Sequence, residues 1–290
     1  MHDHSKDTLI HFIFNEKPVH GAIVTLDDSY LETLQRHPYT PEAQRYLGEA
    51  LATVSLLSLK LKGPGSIILQ TQSDGPVSLL LAQVNNKNEK IEIRGLLNST
   101  GTISDDFSTA LGDGHLAITQ LPEKYQGVVK LQAKNLSKII ENYFYHSEQV
   151  PTFVLLSANS QRACGIILQF LPSKRADDKC YWEHIITLVD TLTEKEVLSV
   201  SNEEILYRLF HKEELRMLET YSIKFSCRCS RDTMSNAIIN LGREDARKLL
   251  FEQSNKKIVV TCEFCNAQTE FDSIDVENIF NQEPPHEKLS

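Results

Sequence analysis

The sequence has no long apolar run and little positive charge, and each shortage excludes a class of protein. No stretch approaches the roughly 20 apolar residues that a membrane-spanning helix needs, so insertion into lipid is not expected. Lysine and arginine number 30 against 39 aspartate and glutamate residues, which gives a net charge of -9. Because phosphate binding depends on clustered basic side chains, this balance argues against a nucleic acid as the main partner.

The N-terminus also lacks the pattern of an export signal. Residues 1–10 carry charges and no apolar segment, which argues against a signal peptide. We therefore predict a cytoplasmic protein whose cysteines stay reduced. The sequence contains no G-x-x-x-x-G-K-[ST] loop, so a nucleotide site of that type is not predicted.

Cysteines are few, yet four of the six fall in two close pairs near the C-terminus. One pair is Cys227 and Cys229, and the other is Cys262 and Cys265. Two thiolates close together in the chain can hold one metal ion while a second pair completes a tetrahedron. The spacing predicts one Zn²⁺ per chain, held by these four side chains. Spacing alone favours a structural role, because four-thiolate zinc sites are usually closed.

The hydrophobic pattern indicates an α+β fold with three parts. Residues 1–173 alternate strand patterns with a few helices, which predicts a large N-terminal domain with a mostly antiparallel sheet. Within it, residues 9–14 and 21–25 are predicted to form a hairpin, and residues 41–61 a long helix.

A polar segment after Pro172 separates this domain from a predicted helical linker, residues 174–222. Apolar stripes within residues 182–192 and 205–210 predict amphipathic helices. Short helices are marginal in water, so we expect the linker to be metastable and weakly docked on a neighbouring surface.

The third part, residues 223–290, is predicted to be a small zinc-binding domain. A segment of this size has little core, whereas a structural zinc contributes about 10 to 16 kcal/mol of apparent binding energy. Loss of the metal is therefore expected to unfold it. Oxidation of the thiolates would remove the ligands, and proximity in the chain suggests the disulfides Cys227–Cys229 and Cys262–Cys265.

The segments around these cysteines resemble the zinc signature of a known family, the redox-regulated 33 kDa chaperonins of bacteria. Further matches lie at residues 73–76, 125–129 and 143–152, so the resemblance covers nearly the whole chain. It implies an ATP-independent holdase, not an enzyme, that is inactive when reduced and zinc-bound. In the family, oxidation of the four thiols releases zinc and unfolds the linker. Unfolding client proteins then bind exposed apolar surface, and active molecules form a homodimer.

Other functions remain open on the residues alone. A zinc ribbon with a purely structural metal could serve as a protein or nucleic-acid interaction module, although the acidic balance disfavours nucleic acid. A thiol–disulfide exchange enzyme would use Cys262 and Cys265, but that chemistry expects a helix N-terminus in a βαβ unit, and strand-forming residues flank this pair. Outside the two pairs, Cys164 is predicted to be buried and Cys180 to be exposed and oxidisable.

Overall fold

The structure is a computed structural model that describes residues 7–87, 90–173 and 175–282. It divides into two compact units, one ending at Ser226 and the other beginning at Cys227. The predicted division into three parts remains a prediction. Residues 1–6, 174 and 283–290, which belong to those predicted parts, lie outside the described residues.

The first unit is built on a ten-stranded sheet in the order β7-β6-β3-β4-β5-β10-β1-β2-β9-β8. Neighbouring strands are antiparallel except for the parallel pair of β10 and β5. The predicted α+β class with a mostly antiparallel sheet is thus confirmed. The strands are β1 Thr8–Phe14, β2 Val19–Leu26, β3 Gly65–Ser73, β4 Val77–Lys87, β5 Lys90–Ser99, β6 Gly114–Leu121, β7 Tyr125–Lys130, β8 Thr152–Ala158, β9 Ala163–Phe170 and β10 Leu215–Phe225.

Seven α-helices accompany this sheet in the described part of the unit. They are α1 Asp28–Leu34, α2 Pro41–Leu57, α3 Phe107–Leu111, α4 Leu136–Tyr143, α5 Ala176–Val189, α6 Glu194–Ser199 and α7 Asn202–Phe210. A 3-10 helix, Ser58–Lys60, follows α2, and a π-helix, Phe144–Glu148, follows α4. None of the helices in the described ranges is both long and apolar enough to span a bilayer.

The long predicted helix is α2, and the sequence around its start explains where it begins. The side chain of Thr40 accepts a hydrogen bond from the amide of Ala43, and Pro41 occupies the first turn, where its missing N–H costs no hydrogen bond. Nearly all of the helix is buried against the sheet. It forms the centre of the larger hydrophobic core.

A second hydrophobic core lies where helices α5 and α7 pack against β1, β2 and β9. Alternation along β1 places Leu9 in the first core and Ile10 and Phe12 in the second, as expected for a strand buried on both faces. The helices supply five fully buried apolar side chains: Ile185, Val189, Ile205, Leu206 and Phe210. Both predicted apolar stripes of the linker therefore contact the sheet.

One part of the linker prediction is wrong. Residues 174–222 were expected to be helical, but the structure has strand β10 from Leu215 onward. The strand pairs with β1 from Thr8↔Ser222 to Phe14↔Leu215, and its end pairs with β5. The pairing partners lie far away in the chain, and such tertiary pairing overrides a weak local preference.

The second unit contains three helices and a two-stranded antiparallel sheet in its described residues. The elements are α8 Arg231–Leu241, α9 Arg243–Glu252, β11 Ile258–Thr261, β12 Gln268–Phe271 and α10 Ser273–Gln282. Its buried apolar residues form one small cluster: Met234, Ile238, Ala246, Leu250, Ile258, Phe271 and Val276. A core of this size agrees with the expectation that the unit needs further stabilisation.

Candidate metal centre

The four predicted cysteines lie in two short loops of the second unit. Cys227 and Cys229 precede the start of α8, which Ser230 caps by accepting a hydrogen bond from the amide of Thr233 at 3.1 Å. Cys262 and Cys265 occupy the turn between β11 and β12.

The turn between the two strands has the geometry that directs two thiols to one point. The amide of Asn266 donates to the carbonyl of Cys262 at 2.8 Å, and the amide of Cys262 donates to the carbonyl of Ala267 at 2.9 Å. Asn266 has φ 57°, a left-handed conformation that asparagine tolerates better than most residues. The chain thereby reverses direction within the C-x-x-C segment, and the sulfur atoms of Cys262 and Cys265 lie within 4.8 Å of each other.

The four sulfur atoms form one cluster, as the spacing predicts. All of them lie within 4.8 Å of one another, with Cys227 Sγ 3.6 Å from Cys262 Sγ and Cys229 Sγ 3.3 Å from Cys265 Sγ. A tetrahedral ion with metal–sulfur bonds of about 2.3 Å would separate its ligands by about 3.8 Å. The thiols are free and half-buried. The donor set therefore fits a tetrahedral metal ion.

Burial and hydrogen bonding among the thiols shift the pKa values of the cysteines in different directions. Burial raises the pKa of Cys227, but hydrogen bonds from the Cys229 backbone and from neighbouring thiols outweigh it and leave that pKa lowered. Burial, and then hydrogen bonding to Cys265 and Cys227, raises the pKa of Cys229. Burial also raises the pKa of Cys265. Four thiolates in this volume repel one another, and a bound divalent cation is what would let all of them ionise.

The two cysteine loops pack into the small core of the second unit. Cys229 and Cys262 pack against the apolar cluster of the second unit. Arg231, which follows the first pair, forms an ion pair with Asp275 at 2.6 Å and lies over the ring of Phe271 at 4.6 Å. The position of the cysteines is thus coupled to the packing of α8, β12 and α10.

Comparison with known proteins identifies the family. The family model described as Hsp33 protein matches residues 7–272. The chain belongs to the Hsp33 protein family. A 33 kDa chaperonin of Shewanella woodyi is 41% identical over 290 residues, covering 98% of this chain and 99% of the relative. A 33 kDa chaperonin of Pseudomonas aeruginosa is 39% identical over 279 residues, covering 93% of each chain.

A solved structure has the same fold. The crystal structure of the 33 kDa chaperonin, a heat shock protein 33 homologue, from Thermotoga maritima superposes with a TM-score of 0.82. The match covers 96% of this chain and 98% of that one at 23% sequence identity. The family and its chaperonin relatives support a chaperone function for the chain.

The two remaining cysteines belong to the first unit. Cys164 is 1% exposed on β9, its sulfur 3.7 Å from the hydroxyl of Thr25, and burial raises its pKa to about 12. Its burial is as predicted, and a buried thiol with a raised pKa has low reactivity. Cys180 on α5 is exposed, also as predicted.

Sequence reasoning missed a set of polar contacts that join the linker helices to the sheet. Arg162, in the turn between β8 and β9, donates to Asp27 and to the carbonyl of Leu198 at the end of α6. Asn202, at the start of α7, is 3% exposed and hydrogen-bonds the hydroxyls of Thr25 at 2.8 Å and Thr8 at 3.0 Å. Arg162 and Leu198 are 36 residues apart, and the partners in the other pairs are more than 100 residues apart. No local pattern in the sequence therefore indicates these contacts.

Proposed function

We propose that the chain is a redox-regulated, ATP-independent holdase that binds unfolding proteins and prevents their aggregation under oxidative stress. The observation that carries the proposal is the cluster of four thiols inside a unit whose apolar core is small. In the reduced protein, Cys227, Cys229, Cys262 and Cys265 would hold one Zn²⁺ per chain. When bound, the ion would supply the stabilisation that the core lacks.

Oxidation would convert the site into two disulfides. Each pair of thiolates gives two electrons to a peroxide molecule, one S–S bond forms, and the peroxide takes up two protons to become two water molecules. A disulfide sulfur is neutral and a poor ligand compared with a thiolate, so the oxidised cysteines would no longer hold the metal.

Pairing within each motif, Cys227–Cys229 and Cys262–Cys265, is part of the proposal. The short separations of 3.6 and 3.3 Å join sulfurs of different motifs, but the edges of a tetrahedron are equivalent, so these distances do not select the pairs. Once the metal leaves and the unit loosens, the shorter loops close at lower entropic cost.

The second hydrophobic core suggests how unfolding would expose a client-binding surface. Helices α5 and α7 cover apolar side chains of β1, β2 and β9, among them Phe12, Ile23 and Leu168. The linker runs into β10, whose last residue, Phe225, lies two residues before Cys227. Loss of structure beyond Ser226 would free the end of β10 and weaken the linker. Release of its helices would expose the sheet to an unfolding polypeptide.

The remaining parts of the proposal concern organisation and location. Residues 1–173 would bind clients and form the homodimer in the oxidised state, residues 174–222 would act as the metastable linker, and residues 223–290 would act as the redox switch. The protein would work in the reducing cytoplasm, where the resting thiols persist, without nucleic-acid partners.

The test compares reduced, zinc-loaded protein with peroxide-treated protein as suppressors of aggregation of a thermally unfolding client. Zinc release is followed in the same samples with a chromogenic chelator. We expect protection only after oxidation, with about one zinc released per chain. A Cys180→Ser variant serves as the control and should switch like the wild type. Equal protection in both states with zinc retained would make the metal purely structural.

Peptide mapping of the oxidised protein tests the disulfide pairing. Bonds within each motif are expected. Mapping that finds only bonds between the two motifs would refute the pairing, while the holdase proposal would still stand on the aggregation assay.

A further inference from the structure

The first unit contains a cavity that the proposed chaperone function does not use. It has a volume of about 120 Å³ and lies between the C-terminal end of α2, the π-helix and strands β1, β2 and β9. Its apolar lining includes Leu57, Phe144 and Ile167. Its polar lining consists of four side chains: His11, His20, Lys60 and Gln169.

The two imidazoles that line the cavity have unused hydrogen-bonding capacity. His11 and His20 approach edge to face with ring centroids 6.1 Å apart. In the part of the chain that the structure describes, neither ring has a hydrogen-bond partner. Burial lowers the pKa of both, with a further lowering of His20 by His11 and an opposing effect of Glu219 on His11. A neutral imidazole carries one donor and one acceptor, so the pair can serve a ligand with either role.

The cavity offers no free charge to a ligand. Lys60 is ion-paired with Glu148, and its ammonium lies 5.0 Å from the centre of the Phe144 ring. The amide nitrogen of Gln169 donates to the hydroxyl of Thr152 at 3.1 Å. An anion or a cation would lose its hydration here without gaining a new counter-charge. An uncharged ligand avoids that cost.

The size and the lining of the cavity further restrict which ligands it can hold. An apolar protein cavity of about 150 Å³ accommodates benzene. The present cavity, at about 120 Å³, is smaller, so it limits a ligand to a single six-membered ring with at most one small substituent. The Phe144 ring in the wall favours an aromatic partner, which can pack against it edge to face.

We propose that this cavity binds an uncharged monocyclic aromatic molecule bearing one hydroxyl or similar hydrogen-bonding group. The ring lies against Leu57, Phe144 and Ile167, and the polar group is hydrogen-bonded by His11 or His20. The site lies wholly in the first unit and is independent of the cysteine cluster. Its test therefore uses reduced protein, and the result does not depend on whether the proposed redox switch is correct.

The probe is phenol, titrated to about 10 mM into full-length reduced protein and followed by two-dimensional NMR of histidine and methyl signals. We expect saturable shifts of the His11, His20 and Ile167 signals. Benzene, which lacks the hydroxyl, and benzoate, which is charged, should each bind at least about tenfold more weakly.

Two variants and one control distinguish the cavity from surface binding. Ala22→Leu adds bulk to the lining and should weaken phenol binding at least about tenfold. The double substitution His11→Phe and His20→Phe keeps both rings but removes their nitrogens, so phenol should bind more weakly and benzene no less tightly. His115→Phe, on an exposed position of β6, should change nothing. Should Ala22→Leu fail to fold, the double histidine variant decides.

The proposal would be overturned by a lack of saturation with phenol, by shifts spread over the protein surface, or by unchanged phenol binding in a folded Ala22→Leu variant or in the double histidine variant. Preference for benzoate over phenol would also overturn it, because the cavity would then recognise an anion.

Discussion

The guanidinium of Arg162 forms a bidentate ion pair with the carboxylate of Asp27. Its Nε donates to Oδ1 at 2.6 Å and its Nη2 to Oδ2 at 2.7 Å, while Nη1 donates to the carbonyl of Leu198 at 3.3 Å. Asp27 follows β2, and Leu198 lies in α6. One side chain therefore ties the sheet to the backbone of the linker helices, in a geometry that is stronger than a single hydrogen bond.

Replacing this arginine should loosen the linker. Arg162→Met removes three hydrogen bonds and leaves Asp27, whose side chain is 12% exposed, without its counter-charge. Breaking a fully buried pair costs about 3 to 5 kcal/mol, and partial exposure reduces this to about 1 to 3 kcal/mol. Hydrogen exchange should accelerate in α6 and α7 more than in α2.

The matched control is Arg208→Met, which breaks an exposed ion pair with Glu204 on α7 itself. Such a pair contributes only about 0.3 to 0.5 kcal/mol, so linker exchange should hardly change. Equal effects of the two substitutions would mean that the Arg162 contact does not hold the linker.

Asn202 should hold the start of α7 in the same way. Asn202→Ala leaves the buried hydroxyl of Thr25 and the polar groups of Thr8 without this partner, at a cost of about 1 to 3 kcal/mol. If linker release activates the chaperone, the variant should suppress client aggregation at a lower peroxide concentration or temperature than the wild type. An unchanged activation threshold, with linker exchange accelerated, would separate linker docking from activation.

The sequence predicted the elements whose signal is local. Runs of strand-forming residues on either side of a turn located β1 and β2 with their hairpin, and Thr40-Pro41 located the start of α2. Cysteine spacing found the thiol cluster because metal chemistry restricts it so strongly. Strand β10 was missed because its partner, β1, lies about two hundred residues earlier in the chain, as in the pair Thr8↔Ser222. Arg162 and Asp27 are 135 residues apart, so no periodic pattern in the sequence indicates that they pair.

Glu49 should make the stability of the protein depend on pH. This side chain on α2 is only 7% exposed, and burial raises its pKa to about 7 from an ordinary value of 4.5. Below pH 4.5 the carboxyl is protonated in both the folded and the unfolded chain. Between pH 4.5 and about 7 the unfolded chain loses this proton while the folded chain keeps it, so the free energy of unfolding falls as pH rises.

The expected loss from Glu49 is on the order of 3 kcal/mol by pH 8, since each pKa unit corresponds to about 1.4 kcal/mol. Glu49→Gln has no proton to lose, so it should be more stable than the wild type at pH 8, with little or no advantage at pH 4.5. Urea unfolding at both values measures this. A constant difference between the two proteins would show that folding does not raise the pKa of Glu49.

Removal of the metal should unfold the second unit and leave the sheet of the first intact. The second unit has one small apolar cluster, with Cys229 and Cys262 packed against it, whereas the first has two extensive cores. A metal bound by the four thiolates would contribute folding free energy of the same size as the stability of a whole domain. Chelator-treated, reduced protein should therefore be cleaved rapidly between Cys227 and Gln282, and slowly within strands β1 to β9.

Cys262→Ser should reproduce this pattern without chelator because it removes a ligand, whereas Cys180→Ser, at an exposed position on α5, should not. Resistance of the second unit to protease after verified metal loss would mean that its small core is sufficient, and the coupling between thiol oxidation and unfolding would lose its energetic basis.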